Sequence, residues 1–377
     1  MQVVYVVTSS GRDIYSAMTR VSIASLRLTN PHIKVTVVCD AETDRAMRAG
    51  KDPLLDEVDE WIAFETPPGP PAFRNRFLKT SLRQRITGQF LFLDSDTVIR
   101  DDISPVFRMP GDIAAAPNGS RFFSQDQFEG VDREIVVEMG WSVDQVVYWN
   151  GGVLLVSEST GANLFYRKWH EKWQQSFQQL QEYRDQSAMN AALFETGVVN
   201  GRLPSGYNAQ IMYSPLFGAE APIWHYYSSL PSVLPKCITE ALQSAKGFGS
   251  IPESHVTGLV ASTFLWPESF WATTEGACLI RAAARDWLGM MVVGLEVPSF
   301  NQLRRVAPEF AHQVAQKAML DSFWSNMPEA FRMARNYIFC YHPSDVFRPK
   351  IQQCLIHAMW QRLNNFHRFA DALCGKR

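Results

Sequence analysis

Apolar positions in the first hundred residues come in short unbroken runs separated by amphipathic stretches. "VVYVVT" (3–8) reads as a buried strand. Residues 13–29 place their apolar side chains on one helical face, and "IKVTVVCD" forms a second strand ending at Asp40. "AETDRAMRAG" predicts a short helix stopped by Gly50, "EWIAFE" a third strand, and "TPPGPPA" a loop. A basic helix around "RNRFLKTSLRQRI" then leads into a fourth strand, "QFLFLD". This alternation predicts an α/β fold with a mainly parallel sheet flanked by helices, and such sheets bind ligands beyond the carboxyl ends of their strands. The loops after Thr8 and Asp40 and the carboxylates Asp94 and Asp96 all fall at that edge.

The second half reads differently. "YWNGGVLLV" (148–156) is a polar, glycine-rich turn feeding a strand, and a long helix rich in Trp and Gln follows. "YRDQSAMNAAL" places Asp185 where it can cap a helix, and "PIWHYYSS" is a short strand with His225 inside it. From about residue 235 the apolar spacing is helical and strand signals fade. From 331 onward Arg332, Arg335, Arg348, Lys350, Arg362, Arg368, Lys376 and Arg377 face only Asp345 and Asp371. The expected organisation is a catalytic domain over 1–235, divided near 118, and a mainly helical extension over 236–377.

Composition narrows the class. With 377 residues, 46% of them hydrophobic, the chain can fill a large core, and its formal charge of −2 gives no global bias toward nucleic acid. Six scattered cysteines without a CxxC pair suit reduced thiols. "MQVVYVVTSS" lacks the basic start of a leader, and no apolar run reaches the length of a membrane span, so a cytoplasmic protein is expected. The basic, aromatic C-terminal stretch can lie on the inner face of an anionic membrane, or be a helical cap or homodimer face.

The chemistry concentrates in "FLFLDSDTVIRDDI". Two carboxylates about 4 Å apart repel by about 4 kcal/mol at an effective dielectric near 20, so Asp94 and Asp96 need a cation or a shared proton between them. Hard oxygen ligands suit Mg²⁺ or Mn²⁺, and one imidazole shifts the balance toward manganese. A DxD tripeptide alone is also a common cap or turn. The first loop, "TSSGRDIY", is not a GxGxxG loop, so no nicotinamide cofactor is implied. It supplies Thr8, Ser9 and Gly11 for tight turns and Tyr15 for stacking on a base or for core packing.

A strand ending in DxD, then "YWNGGVLLV", the "DQSAMN" helix and a late histidine together resemble the GT-A-fold glycosyltransferases, especially the retaining family that includes glycogenin and the lipopolysaccharide galactosyltransferases. The resemblance covers about residues 1–230. It implies a nucleoside-diphosphate sugar as donor, a divalent metal held by Asp94, Asp96 and His225, and transfer to a hydroxyl of a saccharide, glycan, lipid-linked or protein acceptor with retention of configuration. It places Thr8, Ser9, Tyr15, Asp40, Lys79, Asp94 and Ser95 toward the nucleotide. Asn150, Asp185 and Gln186 fall on the sugar and acceptor side. Lys79 could equally be a solvated surface lysine, "NGG" a hairpin turn, and Asp185 a helix cap as well as a catalytic group. The family's glycine and lysine after the histidine are replaced by "HYYSSLPSVLPK", and Lys236 is a poor substitute. Two other readings stand beside it: a haloacid-dehalogenase-like phosphatase, which also starts from a strand ending in DxD, and a sugar-nucleotide-binding protein without activity.

Overall fold

The computed structural model describes residues 1–10, 13–120, 130–144, 147–198, 200–211, 221–227, 234–246, 249–262 and 308–324. Gly11 and the basic stretch from 331 lie outside them.

The chain divides into two compact units, Met1–Trp266 with Val297–Ser299, and Pro267–Glu296 with Phe300–Arg377. The first contains a seven-stranded sheet in the order β3-β2-β1-β4-β7-β6-β8. The strands are β1 (Gln2–Val7), β2 (Lys34–Asp40), β3 (Glu60–Phe64), β4 (Phe90–Leu93), β6 (Ile113–Pro117), β7 (Trp149–Val156) and β8 (Asn200–Arg202). All run in one direction except β7, which is antiparallel to both β4 and β6. The unbroken apolar runs are explained by burial: Val3, Tyr5, Val35, Val37, Leu91, Leu93, Val153 and Leu155 share one core cluster.

Helices α1 (Ile14–Thr29) and α2 (Ala41–Gly50) start where the sequence places them, each at an aspartate cap. The Asp13 carboxylate accepts from Tyr15 N–H, and that of Asp40 from Glu42 and Thr43 N–H. The short helix α3 is Leu54–Glu57, and α4 (Pro71–Thr80) is the basic helix before β4. Beyond β6, α5 (Val131–Glu138) precedes β7, and α6 (Thr160–Leu180) and α7 (Gln186–Thr196) follow it. Helices α8 (Lys236–Ala245) and α9 (Glu253–Ala261) pack against α1, so the first unit carries helices past residue 235. In the second unit the described part is α10 (Pro308–Trp324).

A second, three-stranded sheet joins β5 (Thr97–Ile99), β10 (Ile223–His225) and β9 (Ala209–Gln210) in the order β5-β10-β9. It sits directly after the DSD tripeptide. Strand β10 runs antiparallel to β5 with His225 opposite Thr97, and parallel to β9 with His225 opposite Gln210. Strands of two or three residues carry too little periodicity to be read from a sequence, and of these only β10 was expected.

Two expectations change. "WNGG" is not a hairpin turn: Trp149 to Val156 form one fully buried strand with both glycines inside it. Asp185 occupies the cap position of α7, but its side chain makes no capping hydrogen bond. Cys39 and Cys237 are free thiols. No helix among the described residues is long and apolar enough to cross a membrane.

Candidate active site

Strand β4 delivers Asp94 to the carboxyl edge of the sheet, and Asp94 N–H donates to Gly152 O of β7 at 2.8 Å. The chain then turns, with Thr97 Oγ1 donating back to Asp94 O at 2.9 Å, and enters β5. The pairing of β5 with β10 sets His225 beside this turn, its Nε2 3.3 Å from Asp96 Oδ1. One ligand atom each of Asp94, Asp96 and His225 lies within 4.8 Å of the others. Residues 94 and 225 are far apart in the chain, so this meeting is wholly a product of the small sheet.

Helix α4 supplies the cations. Arg76 and Lys79 are three residues apart and share one face. Lys79 Nζ lies 3.1 and 3.3 Å from the two Asp94 oxygens and 3.6 Å from Asp185 Oδ2. Arg76 Nε lies 3.1 Å from Asp185 Oδ1. With 3% of its surface exposed, Lys79 is not a solvated surface lysine. Asp185, buried and held by two cations, does not cap α7 because its carboxylate is already committed to α4.

Titration follows from these contacts. Burial pushes the Asp94 carboxyl up, Lys79 pulls it down and Asp96 pushes it up again, leaving it above its ordinary value. Burial also acts on Asp96, but His225 outweighs it and holds Asp96 below its ordinary value. For His225 burial favours the neutral ring, but the charge of Asp96 prevails and raises it. Burial would raise Asp185, yet Lys79 and then Arg76 hold it below the usual carboxylate range. The pair of carboxylates at the strand end is therefore compensated by two cationic side chains of the chain itself.

These groups line a cleft of about 690 Å³. Thr8, Tyr15, Lys79, Asp94, Ser95, Asp96, Asn150, Asp185, Gln186 and His225 all face it. Tyr15 is 48% exposed, so it is a cleft-mouth ring rather than core packing. Thr19 Oγ1 donates to Ser95 Oγ at 2.9 Å. Ser9 and Asp40 are not among the lining residues. Ser9 is buried, with its N–H donating to Thr43 Oγ1 at 2.9 Å. Asp40 is spent on capping α2 and on Arg74, whose Nε lies 3.2 Å away. Lys236 pairs with Glu240 along α8 and is also outside the cleft.

Gln186 opens α7 and is held at both ends of its amide. Its Oε1 accepts from Gly151 N–H at 3.2 Å, and its Nε2 donates to Asp132 Oδ2 at 3.3 Å. The tryptophans of α6 hold the loop before it: Trp169 Nε1 donates to Asp185 O at 2.9 Å and Trp173 Nε1 to Tyr183 O at 3.3 Å. The Trp-rich pattern of that helix is thus a support for the DQ pair. Gly152 leaves room for the imidazole, since a Cβ there would lie 2.2 Å from His225 Cε1.

Sequence reasoning missed four participants. Asp132 lies on α5, a helix not anticipated, and burial pushes its carboxyl above the ordinary value. Asn208 and Gln210, in "GYNAQ", stand behind His225 and carry no motif signal. Arg76 sits three residues before Lys79, a spacing that could have marked it.

Residues 74–231 match the family model described as nucleotide-diphospho-sugar transferase. No curated protein matches the chain. Among solved structures, the galactosyltransferase LgtC, in complex with donor and acceptor sugar analogs, is 18% identical; the alignment covers 72% of this chain and 99% of that one, with a TM-score of 0.43. The glycosyltransferase GlyE from Streptococcus pneumoniae is 18% identical over 71% of this chain and 64% of its own, with a TM-score of 0.44. Mouse xyloside xylosyltransferase 1 is 15% identical over 60% of this chain and 98% of its own, with a TM-score of 0.40. The family match supports glycosyl transfer rather than phosphoester hydrolysis.

Proposed function

We propose, from the match of residues 74–231 to the nucleotide-diphospho-sugar transferase family model, that this chain is a GT-A glycosyltransferase that is metal-dependent and retains anomeric configuration. The observation that carries the metal reading is the set Asp94, Asp96 and His225, with ligand atoms within 4.8 Å of one another at the carboxyl end of β4. Two hard oxygens and one imidazole fit Mn²⁺ or Mg²⁺, with the nitrogen favouring manganese. The glycine at 152 fits the same purpose, because it leaves the space that the ring occupies. A divalent ion held there would act as a Lewis acid for the charge that builds on the departing nucleoside diphosphate.

The chain's own groups do the rest. Lys79, buried, and Arg76, half-buried, present positive charge to the same cleft, where a diphosphate gains from donors that are already oriented. Thr8, Tyr15 and Ser95 border the nucleotide end. Asp185, kept ionised by two cations, is a weak base, and the amide of Gln186 cannot accept a proton from an alcohol at neutral pH. The acceptor hydroxyl oxygen therefore bonds to the anomeric carbon on the face the leaving group departs from. The bond from that carbon to the phosphate oxygen breaks, and the hydroxyl proton passes to the departing phosphate. Gln186, fixed by Gly151 and Asp132, borders the reacting sugar. The acceptor class is a saccharide, glycan, lipid-linked or protein hydroxyl.

Thermal-shift measurements with a panel of sugar nucleotides, each with and without Mn²⁺, test the reading. At a hundredfold excess over Kd, a ligand of the native state adds about 2.7 kcal/mol, a shift that should require both components together. Asp96→Asn should keep the fold and lose turnover. Undiminished transfer by this variant in the presence of a chelator would refute the metal assignment, and an inverted anomeric signal in the product's NMR spectrum would refute retention.

A further inference from the structure

Behind His225 runs a line of side-chain amides, of which Asn208, Asn150 and Gln210 are buried. His225 Nδ1 lies 2.9 Å from Asn208 Oδ1, and Asn208 Nδ2 donates to Asn150 Oδ1 at 2.9 Å. Asn150 Nδ2 in turn donates to Asn118 Oδ1 at 3.1 Å and to Gln210 Oε1 at 3.3 Å. The line has a direction, set by backbone groups. Gly152 N–H donates to Asn150 Oδ1 at 2.8 Å, so that oxygen faces donors only. At the far end Gly119 N–H donates to Gln210 Oε1 at 2.8 Å, and Gln210 Nε2 donates to Pro117 O at 3.1 Å. A peptide N–H cannot accept, so neither Asn150 nor Gln210 can be turned over. Asn208 must then offer its NH₂ to Asn150, which leaves its Oδ1 toward the imidazole.

We infer that this amide line is a positioning relay: it holds a proton on Nδ1 of His225, so that Nε2, 3.3 Å from Asp96, is the nitrogen that can give up its proton and turn a lone pair toward the DSD turn. Asn208 and Asn150 are positioning residues for the imidazole. Asn150, 1% exposed and bonded to four partners, is both part of this line and part of the cleft wall. The use of Nε2 as a metal ligand rests on the function proposed above, whereas the tautomer belongs to the protein without an ion. The outer-shell partner of a metal-binding histidine commonly tunes affinity 10–100-fold.

Two measurements on the full chain test this. Mn²⁺ binding, followed by EPR titration, should weaken at least tenfold in Asn208→Ala. It should stay within about threefold of wild type in Asn208→Asp, whose carboxylate still accepts from Nδ1–H. Unchanged affinity in a folded Asn208→Ala variant would overturn the relay. Nitrogen-15 NMR of the wild-type ring, assigned by its absence from His225→Gln and recorded without metal, should show a proton on Nδ1. A dominant Nε2–H form would overturn the inference even if Asn208→Ala does not fold. A wild type that shows Nδ1–H but binds no Mn²⁺ would leave the relay standing and refute the metal reading.

Discussion

Two flanks of the same cleft hold the DSD turn in different ways. On the α4 side, Lys79, Arg76, Asp94 and Asp185 form a compact group of alternating charge. On the β10 side, the line of hydrogen bonds that starts at His225 Nδ1 runs, among the described residues, through neutral side-chain amides. The charged flank is energetically interdependent, because removing one buried partner leaves an uncompensated charge behind. The amide flank carries no net charge and costs far less to desolvate when every donor and acceptor is matched. What it supplies is direction, a choice of which nitrogen of a ring holds the proton. Charge compensation and geometric direction are thus delegated to separate elements meeting at one tripeptide.

The comparison can be broken most severely at Gly152, which touches both flanks. Its carbonyl accepts from Asp94 N–H, its N–H holds Asn150, and a Cβ would meet His225 Cε1 at 2.2 Å. Gly152→Ala should cut transfer roughly 100-fold or more through displacement of the ring, and lower stability by about 1–3 kcal/mol through overpacking. Wild-type rates in a steady-state assay would show that the imidazole has a freedom its packing denies.

The charged flank is probed by Lys79→Met, which keeps the stem and removes the charge. Asp94 loses its cation and Asp185 keeps only Arg76, so stability should fall by about 3 kcal/mol. At roughly 2–4 °C per kcal/mol for a large domain, calorimetry should read this as a clear drop in Tm. A variant that melts with wild type would mean that Asp94 relaxes to solvent once freed.

The smallest effect concerns the platform beneath that flank. His170 of α6 packs edge-on against Phe77 at 4.9 Å between ring centroids, and its Nδ1 lies 2.7 Å from Thr80 Oγ1, so it supports the end of α4. Burial, and then Arg85, lower its pKa to about 4 from 6.5. A histidine with a depressed folded pKa contributes stability that is present above about 6.5 and lost as pH falls through about 4. His170→Gln should therefore flatten the decline of Tm between pH 6.5 and 4, and an identical decline in both proteins would assign the acid sensitivity elsewhere.

Much of the nucleotide side was legible in the residues themselves. The apolar runs of β1, β2 and β4 are buried on both faces, so their composition alone marks them, and the caps Asp13 and Asp40 announce α1 and α2. Asp94, Asp96 and His225 were legible as types of ligand in a familiar order. The amide line was not, because Asn208 and Gln210 lie on a two-residue strand and a turn without periodicity. The charges of Asp185 misled in another way: its position before α7 is that of a cap, and only the arrival of α4 beside it explains why the side chain turns away.

By itself the sequence determined where the sheet's strands begin and end in its first half, which edge carries the acidic pair, and which residue types are available there to hold a cation. Local burial and capping fix those features within a few residues of one another. The tertiary structure alone decided that β7 runs against its neighbours, that β5 and β10 bring position 225 beside position 96, and which nitrogen of that histidine holds its proton. Those depend on strand register and hydrogen-bond direction between segments that do not adjoin in the chain, for which a single sequence carries no local signal.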